Sequence, residues 1–460
     1  MHHANRQLAT ILARYIEMLY YCAAYDACSL GGGCLFARHM MVSDDRWPVF
    51  TSQVRVIADH SPAAHSLRTD RSRAVKPLNA LMSSLETTVF TVMSALAARH
   101  DAVNLGQGFP DTEGPDFIVR AASEALLDGR NQYAPMPGVP ELRQAVAASE
   151  ARHYGITVDP DSEVLVTAGA SEALAASLMA LLDQGDEIIL FEPLFDTYLP
   201  IIRMIGAVPR IVRLEAPDWS LPEQALREAF GPKTKAVLLN TPMNPCGKVF
   251  GPDELALIAE LVQAHDAYAI CDEVYEHLVY APSRHIPLRT LPGMSDRCLR
   301  IGSAGKTFSL TGWRVGYVTG PKSLVSVVMR VHQNLVFAIA PNLQRAVAVG
   351  LNAPDSYFAE LSDSLRQKRD RLHDGLTEIG FDVMPIQGSY FLIADYRRLG
   401  FEADDMAFCR LLVEKAGVAA IPVAAFYDRD APQGFVRFAF CKRNEVLDEG
   451  IARMRAFFSR

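Results

Sequence analysis

The sequence has no excess of positive charge. It holds 45 Lys and Arg against 53 Asp and Glu, a formal net charge of −8. A chain that neutralises a phosphate backbone needs the opposite balance, so nucleic acid is not expected as a partner. The eight cysteines form no C-x-x-C pair, and no histidine completes a zinc-ligand pattern with Cys22, Cys28 and Cys34. No metal is therefore expected, and the thiols read as free groups of a reducing, cytoplasmic compartment. No run reaches the ~18 apolar residues that a membrane span requires. Arg14 and Glu17 interrupt the apolar stretch Leu8 to Tyr25, which lacks the unbroken centre of a signal peptide. Low-complexity tracts, internal repeats and Pro/Gly-rich linkers are also missing, which argues against solenoids and disordered arrays.

What remains is ordinary globular material, 460 residues of which 50% are hydrophobic and 21% charged, enough for two or three domains. The first 75 residues differ from the rest. They contain five of the twelve His, three of the eight Cys, eight Arg against six acids, and no Lys. No sustained period follows Gly31-Gly32-Gly33, so residues 1–75 read as an extension that builds no core. A regulatory or targeting arm is the alternative. From about Lys76 short β-rich runs alternate with helical patterns, the mark of a mostly parallel sheet wrapped by helices. The strand candidates are Val164–Thr167, Glu187–Phe191, Pro209–Leu214, Ala236–Asn240, Tyr268–Asp272, Cys298–Ser303 and Arg314–Val318. Beyond Asp355 a long amphipathic helix (Ser356 to Gly380) precedes short strands near Gly388–Asp395, Val418–Pro422 and Gly434–Phe440, then a final helix from Arg443 to Phe458. The expected division is 76–120 as an N-terminal segment belonging to a small domain, 121–350 as a large α/β domain, and 351–460 as a smaller α+β domain.

In a doubly wound sheet, ligands bind outside the carboxyl ends of the strands, so the residues that follow each strand carry the argument. Gly169-Ala170-Ser171-Glu172 opens a helix after Val164–Thr167, where free N–H groups and the helix dipole suit a phosphate. Thr241-Pro242-Met243-Asn244-Pro245 follows Ala236–Asn240 and aims the Asn244 amide above the sheet. Asp272 ends a central strand and needs a cation or a protonated ring nitrogen beside it. Ser303-Ala304-Gly305-Lys306-Thr307-Phe308-Ser309 places a lysine at the mouth of the sheet, where desolvation makes it a nucleophile toward a carbonyl. Ser303 and Arg314 can hold a dianionic phosphate. An aldehyde for the lysine, a pyridine nitrogen for the aspartate and a phosphate describe one ligand, pyridoxal 5'-phosphate.

With these residues in place the chain resembles the class I aminotransferases of the fold-type I pyridoxal-phosphate enzymes. The likeness runs from about Leu85 to Arg460. It rests on Asn104-Leu105-Gly106-Gln107-Gly108-Phe109-Pro110-Asp111, Asn131-Gln132-Tyr133, Asn240 to Pro245, Asp272-Glu273-Val274-Tyr275 and Ser303 to Ser309, with 28 residues from Asn244 to Asp272, 34 from Asp272 to Lys306 and 8 from Lys306 to Arg314. Within the family it looks most like the kynurenine aminotransferase/glutamine transaminase K group and bacterial methionine aminotransferases. The resemblance implies a seven-stranded, mostly parallel sheet in a large domain, a smaller α+β domain, and transfer of an amino group from an amino acid to a 2-oxo acid.

It also implies roles. Lys306 matches the lysine that bonds the cofactor and then carries the proton, first as base and then as acid. Asp272 matches the partner of the pyridine nitrogen, Asn244 and Tyr275 the partners of the ring oxygen, and Phe195 the aromatic stacked on the ring. Ala170, Ser171, Ser303 and Arg314 match phosphate contacts. Tyr133 matches a tyrosine that reaches the phosphate of a neighbouring subunit, which implies a homodimer with shared sites. Arg437 matches the clamp for the substrate α-carboxylate, with Gly108 on the facing wall. Phe90, Phe109, Tyr133 and Phe337 match pocket walls, with Phe337 supplied from the other subunit. Such walls suit methionine, glutamine, phenylalanine or kynurenine-like donors. Ala170, Ser171 and Arg314 depart mildly from residues common in relatives; backbone contacts and a cation suffice for their roles. Two other functions stay open on the sequence: a β-lyase cleaving cysteine conjugates with the same machinery, and an aminotransferase-like transcription regulator.

Overall fold

The computed structural model describes residues 76–129, 131–402 and 404–459. The expected extension over residues 1–75, with Cys22, Cys28 and Cys34, lies outside the described residues. From Pro77 onward the chain forms one compact unit.

Thirteen strands are described. They are β1 (Val103–Asn104), β2 (Val164–Thr167), β3 (Glu187–Glu192), β4 (Val208–Arg213), β5 (Thr234–Asn240), β6 (Tyr268–Asp272), β7 (Cys298–Ser303), β8 (Gly316–Thr319), β9 (Asp382–Val383), β10 (Phe391–Asp395), β11 (Val418–Ala419), β12 (Ile421–Pro422) and β13 (Phe435–Ala439). Seven form the main sheet in the order β2-β8-β7-β6-β5-β3-β4. β8 runs antiparallel to both of its neighbours, and the ladders from β7 through β6, β5 and β3 to β4 are parallel. Strands covered on both faces read as unbroken apolar runs. All six residues of β3 are buried, whereas β4, at the edge, is largely exposed.

One edge of this sheet gathers the candidate site residues. β2, β5, β6 and β7 end there on Thr167, Asn240, Asp272 and Ser303. β8, running the other way, starts there. The sequence places its start at Arg314, but the ladder begins at Gly316. Arg314 instead takes a left-handed conformation, φ 54°, after the short turn Thr311–Trp313. Arg314, two residues before β8, is thereby kept out of the ladder and lines the cavity at this edge.

A second sheet, β12-β13-β10-β9, is antiparallel, and β1 pairs in parallel with β11. The expected single strand Val418–Pro422 is divided at Ala420. β11 serves β1 and β12 serves β13, so one run stitches the residues after the first helices to the C-terminal sheet. The helix Asp355–Ile379 buries Phe358, Leu365, Leu372 and Leu376, a helical stripe, and stops at Gly380, whose φ of 113° an L side chain disfavours. One continuous apolar core joins the two sheets, with Ile270 and Leu299 of the first and Leu392 and Phe438 of the second. Near the start, Ala80–Arg99 is apolar and long enough by composition to cross a membrane. It is divided into Ala80–Ser84 and Val89–Arg99, and the latter buries Met93 and Ala97.

Candidate active site

A cavity opens at the carboxyl edge of the main sheet. It is lined by Phe90, Gly108, Phe109, Ala170, Ser171, Phe195, Asn244, Asp272, Tyr275, Ser303, Lys306, Arg314 and Arg437. These residues come from segments more than 300 positions apart, and the strand ends explain why they meet.

At one end is an anion cradle. The helix Gly169–Leu181 has no side-chain cap at its start, so its first N–H groups face the cavity beside Ala170 and Ser171. Arg314 donates to Ser171 Oγ at 3.3 Å and to the Thr311 carbonyl at 3.1 Å. Two glycines make this approach feasible. A Cβ on Gly169 would lie 2.9 Å from the Arg314 guanidinium, and one on Gly316 would lie 2.6 Å from the Gly169 backbone.

Asp272 lies deeper and is fully buried. Burial pushes its carboxyl up to about 6, against the opposing pull of a 2.5 Å bond from the Tyr198 hydroxyl, the Val274 N–H and the charge of Lys306. Its own strand supplies no cation to pair with it. Asn240, one strand over, donates to the Asp272 carbonyl at 2.9 Å and accepts from the Asn244 N–H at 2.8 Å, tying the turn that carries Asn244 to the end of β6. Phe195 sits edge-on to Tyr198, 5.6 Å between centroids.

Lys306 stands in the short helix Ala304–Thr307. Burial lowers its amine from 10.5 to about 8, and its Nζ lies 3.2 Å from the Tyr390 hydroxyl. At the other end Arg437 is 1% exposed. It donates to Asn244 Oδ1 at 2.8 Å and to the Gly106 carbonyl at 2.9 Å, and lies over the Phe391 ring at 4.0 Å. Burial holds its guanidinium at about 10. Its partners are neutral oxygens, and its buried Nε has none, so its charge is free to meet an anionic ligand.

Tyr133 and Phe337 are not part of this cavity. They pack edge to face on one another, 5.3 Å apart, at a separate surface where they are 83% and 45% exposed. The structure also adds residues that the sequence pattern does not single out, Tyr198, Tyr390 and Phe391, and gives Asn240, quoted there only as part of a motif, a place beside Asp272. The run Gly388-Ser389-Tyr390-Phe391 reads, by pattern, only as the start of a strand.

The donor set fits pyridoxal 5'-phosphate. A cradle of helix N–H groups, hydroxyls and a guanidinium suits its phosphate. The carboxylate of Asp272, hydrogen-bonded but with no cation bonded to it, suits a pyridinium, and an amine with lowered pKa suits its aldehyde. The model for aminotransferase class I and II matches residues 100–454. The chain belongs to this family. Class I and II aminotransferases depend on pyridoxal phosphate and transfer amino groups between amino acids and 2-oxo acids, and this member does the same. Similar solved structures include N-succinyldiaminopimelate aminotransferase from Mycobacterium tuberculosis, 46% identical, TM-score 0.81, covering 83% of this chain and 100% of that one. The methionine aminotransferase of Escherichia coli is 38% identical over 81% of this chain and 97% of its own length. The mouse kynurenine–oxoglutarate transaminase 3 is 38% identical over 85% and 93%.

Proposed function

We propose that this aminotransferase acts on L-amino acids with an uncharged side chain, methionine, glutamine, phenylalanine or kynurenine-like, and passes the amino group to a 2-oxo acid. The observation that carries this reading is the charge of the cavity lining. Its cations are Lys306, Arg314 and Arg437. Lys306 serves the cofactor, Arg314 its phosphate and Arg437 the α-carboxylate, which leaves no cation for a charged side chain. The remaining wall beside Arg437 is Phe90, Phe109 and Phe391, which favours apolar or aromatic side chains.

Bound in the cavity, pyridoxal 5'-phosphate supplies an aldehyde for the amino group and a protonated ring that draws electrons from the substrate Cα–H bond. The protein's residues do the rest. Asp272 would hold the ring N–H by charge, and Asn244 and Tyr275 would bond its oxygen. Phe195 would lie against the ring, and Ala170, Ser171, Ser303 and Arg314 would hold the phosphate. Arg437 grips the α-carboxylate and turns the Cα–H bond toward Lys306. Burial lowers the Lys306 amine to about 8, and once released from the aldehyde this amine would take that proton from Cα and return it to the cofactor's former aldehyde carbon, across the nitrogen.

Tyr133 and Phe337 are proposed to serve a second copy of the chain in a homodimer, Tyr133 at its phosphate and Phe337 at its substrate wall. Leu78, Met82 and Leu85 are also exposed, which supports a covered surface on the N-terminal segment 76–120 as well. A cytoplasmic location remains part of this proposal, as do the boundaries 76–120, 121–350 and 351–460 within the compact unit.

A second reading is favoured by the 46% identity to the mycobacterial enzyme named for N-succinyldiaminopimelate, an acylated donor with further carboxylates. A donor panel decides between them. Methionine, glutamine, phenylalanine, kynurenine and N-succinyldiaminopimelate are each offered with several 2-oxo acids, and kcat/KM is compared. Preference for the succinylated donor by tenfold or more overturns the uncharged-side-chain reading.

A further inference from the structure

We propose that Tyr390 is a positioning residue for Lys306, holding its amine and tying the pose of that amine to the cavity wall at Gly108. The proposal rests on Lys306 being the lysine that moves the proton.

The geometry assigns the direction of each hydrogen bond. Tyr390 is 1% exposed, so its hydroxyl must be satisfied within the protein. The hydroxyl lies 2.7 Å from the Gly108 carbonyl oxygen and 3.2 Å from Lys306 Nζ. A phenol has one proton to give. A carbonyl can only accept, so that proton goes to Gly108, and the lone pairs of the phenol face Lys306 and the Tyr275 hydroxyl, with which Tyr390 also interacts. The Lys306 amine must therefore donate. An acceptor aimed at an ammonium favours the charged form and fixes its direction. Tyr390 thus steadies the lysine in the state in which it holds the proton taken from Cα.

Both ends of this bridge are fixed. The Tyr390 ring packs edge-on against Tyr275 at 5.2 Å and against Phe391 at 4.8 Å, and its carbonyl accepts from the Phe440 N–H at 3.0 Å. On the other side, a Cβ on Gly108 would lie 2.6 Å from the Phe391 ring. Only glycine lets that backbone come close enough for its carbonyl to meet the phenol. The neighbouring carbonyls are gripped in the same way, Gly106 by Arg437 at 2.9 Å and Phe109 by Lys442 at 2.7 Å. The wall beside the substrate is thereby held by three side chains from the C-terminal part of the chain, and the middle one also holds the catalytic lysine. The charged and titratable groups facing Lys306 are Asp272, Tyr275, Arg314, Tyr390, Arg437 and Cys441. Burial opposes its charge most, Cys441 and Asp272 favour it, and the two arginines oppose it.

The test is Tyr390→Phe, which keeps the ring and removes only the hydroxyl. In the holoenzyme, kcat should fall about tenfold or more while KM for the amino donor moves less than threefold, because the hydroxyl touches the lysine and not the substrate. In the cofactor-free full chain, the pH midpoint for reductive methylation of Lys306, read by mass spectrometry, should fall by roughly half a unit or more, since the ammonium loses an acceptor. An unchanged midpoint with kcat within twofold overturns the proposal. A fall in kcat with an unchanged midpoint assigns Tyr390 a packing role and also overturns it. If Tyr390→Phe does not fold, 3-fluorotyrosine at this position keeps the ring and weakens the acceptor. The midpoint should then move the same way by a smaller amount, and no movement overturns the proposal. Lys306→Ala run in parallel tells the two failures apart: wild-type turnover in that variant removes the reading beneath the proposal, whereas its inactivity leaves the Tyr390 result to be judged alone.

Discussion

Asp272 and Glu273 are adjacent in the chain, both are buried, and they have opposite electrostatic fates. Asp272 faces the cavity, and burial pushes its carboxyl up to about 6. Glu273 faces the other side. Burial acts on it too, but Arg300 and His285 outweigh that effect and hold it below the usual carboxylate range. Arg300 bonds Glu273 at 2.6 Å and Glu276 at 2.9 Å and also pairs with Glu150, while His285 meets Glu273 at 2.8 Å. On that side the countercharges are part of the fold. On the cavity side the carboxylate of Asp272 and the guanidinium of Arg437 are each left without an opposite charge bonded to them. An arrangement that is costly to the folded chain alone is one that a ligand carrying the missing charges completes.

The largest expected effect lies on the cavity side and touches activity alone. Lys306→Ala should lose transamination by about 10⁴-fold or more, roughly 5.5 kcal/mol of barrier. Its melting temperature should not fall, because the amine it removes is a desolvated one, held near 8. A large loss of stability in this variant would break the distinction between the two sides. Arg300→Met should behave in the opposite way. It leaves Glu150, Glu273 and Glu276 buried without their shared cation, and breaking such a cluster costs about 3–5 kcal/mol. Soluble yield and denaturant midpoint should drop sharply. Equal stability of variant and wild type would mean that the cluster is not held by its charge.

Local pattern makes one side of this comparison readable and leaves the other obscure. Lys306, Asp272, Asn244 and Ser303 follow strand ends, so short β-rich runs followed by polar residues place them at one sheet edge. Arg300 and Glu273 lie within or beside strands where sequence alone gives no reason to expect charge. Their pairing depends on the parallel register of β6 with β7, in which Cys271 faces Arg300. Tyr198 and Tyr390 present the same difficulty. Tyr198 opens the helix Tyr198–Ile205 and Tyr390 directly precedes β10; both read as core, and only the packing of distant segments brings their hydroxyls to Asp272 and Lys306. Tyr133 and Phe337 read as site residues from family likeness, and a single chain does not bring them to its own cavity. The seven strands of the main sheet are legible to within about two residues because most are β-rich runs buried on both faces; the edge strand β4, largely exposed, is marked by its β-branched residues instead. The break at Ala420 and the left-handed Arg314 are not, since both arise from which strand lies alongside.

The sign of the pH dependence separates the two sides further. For Asp272 the folded chain holds the proton more tightly than the unfolded one, about 6 against 3.8. Its ionisation therefore costs stability above pH 6, and the cost disappears as pH falls toward 4. Glu276, held at about 2 because Arg300 with His277 and His285 outweighs burial, contributes stability above its ordinary 4.5. That contribution is lost as pH falls through 2. Asp272→Asn in the cofactor-free chain should accordingly be more stable than wild type at pH 8, by about 3 kcal/mol at most, and no more stable at pH 4. Denaturant midpoints at the two pH values check this. A variant less stable than wild type at pH 8 would place Asp272 among the structural carboxylates.

The smallest expected effect comes from Tyr198, which gives Asp272 its shortest bond, 2.5 Å. A hydroxyl that donates to a carboxylate favours the charged form, so Tyr198→Phe removes one of the contacts that oppose burial. The Asp272 midpoint should rise above 6 by roughly one unit, about 1.4 kcal/mol, and the cofactor-free chain should lose stability at pH 8 but not at pH 4. In the holoenzyme, exchange of the substrate α-hydrogen should slow by about tenfold, because an aspartate that ionises less readily holds the ring nitrogen's proton less firmly. The double variant isolates the cause. With Asp272→Asn already present there is no charge for the hydroxyl to favour, so adding Tyr198→Phe should shift the pH 8 midpoint by much less than it does alone. Equal shifts in the two backgrounds would assign Tyr198 to packing beside Phe195 and leave the raised carboxyl to burial alone.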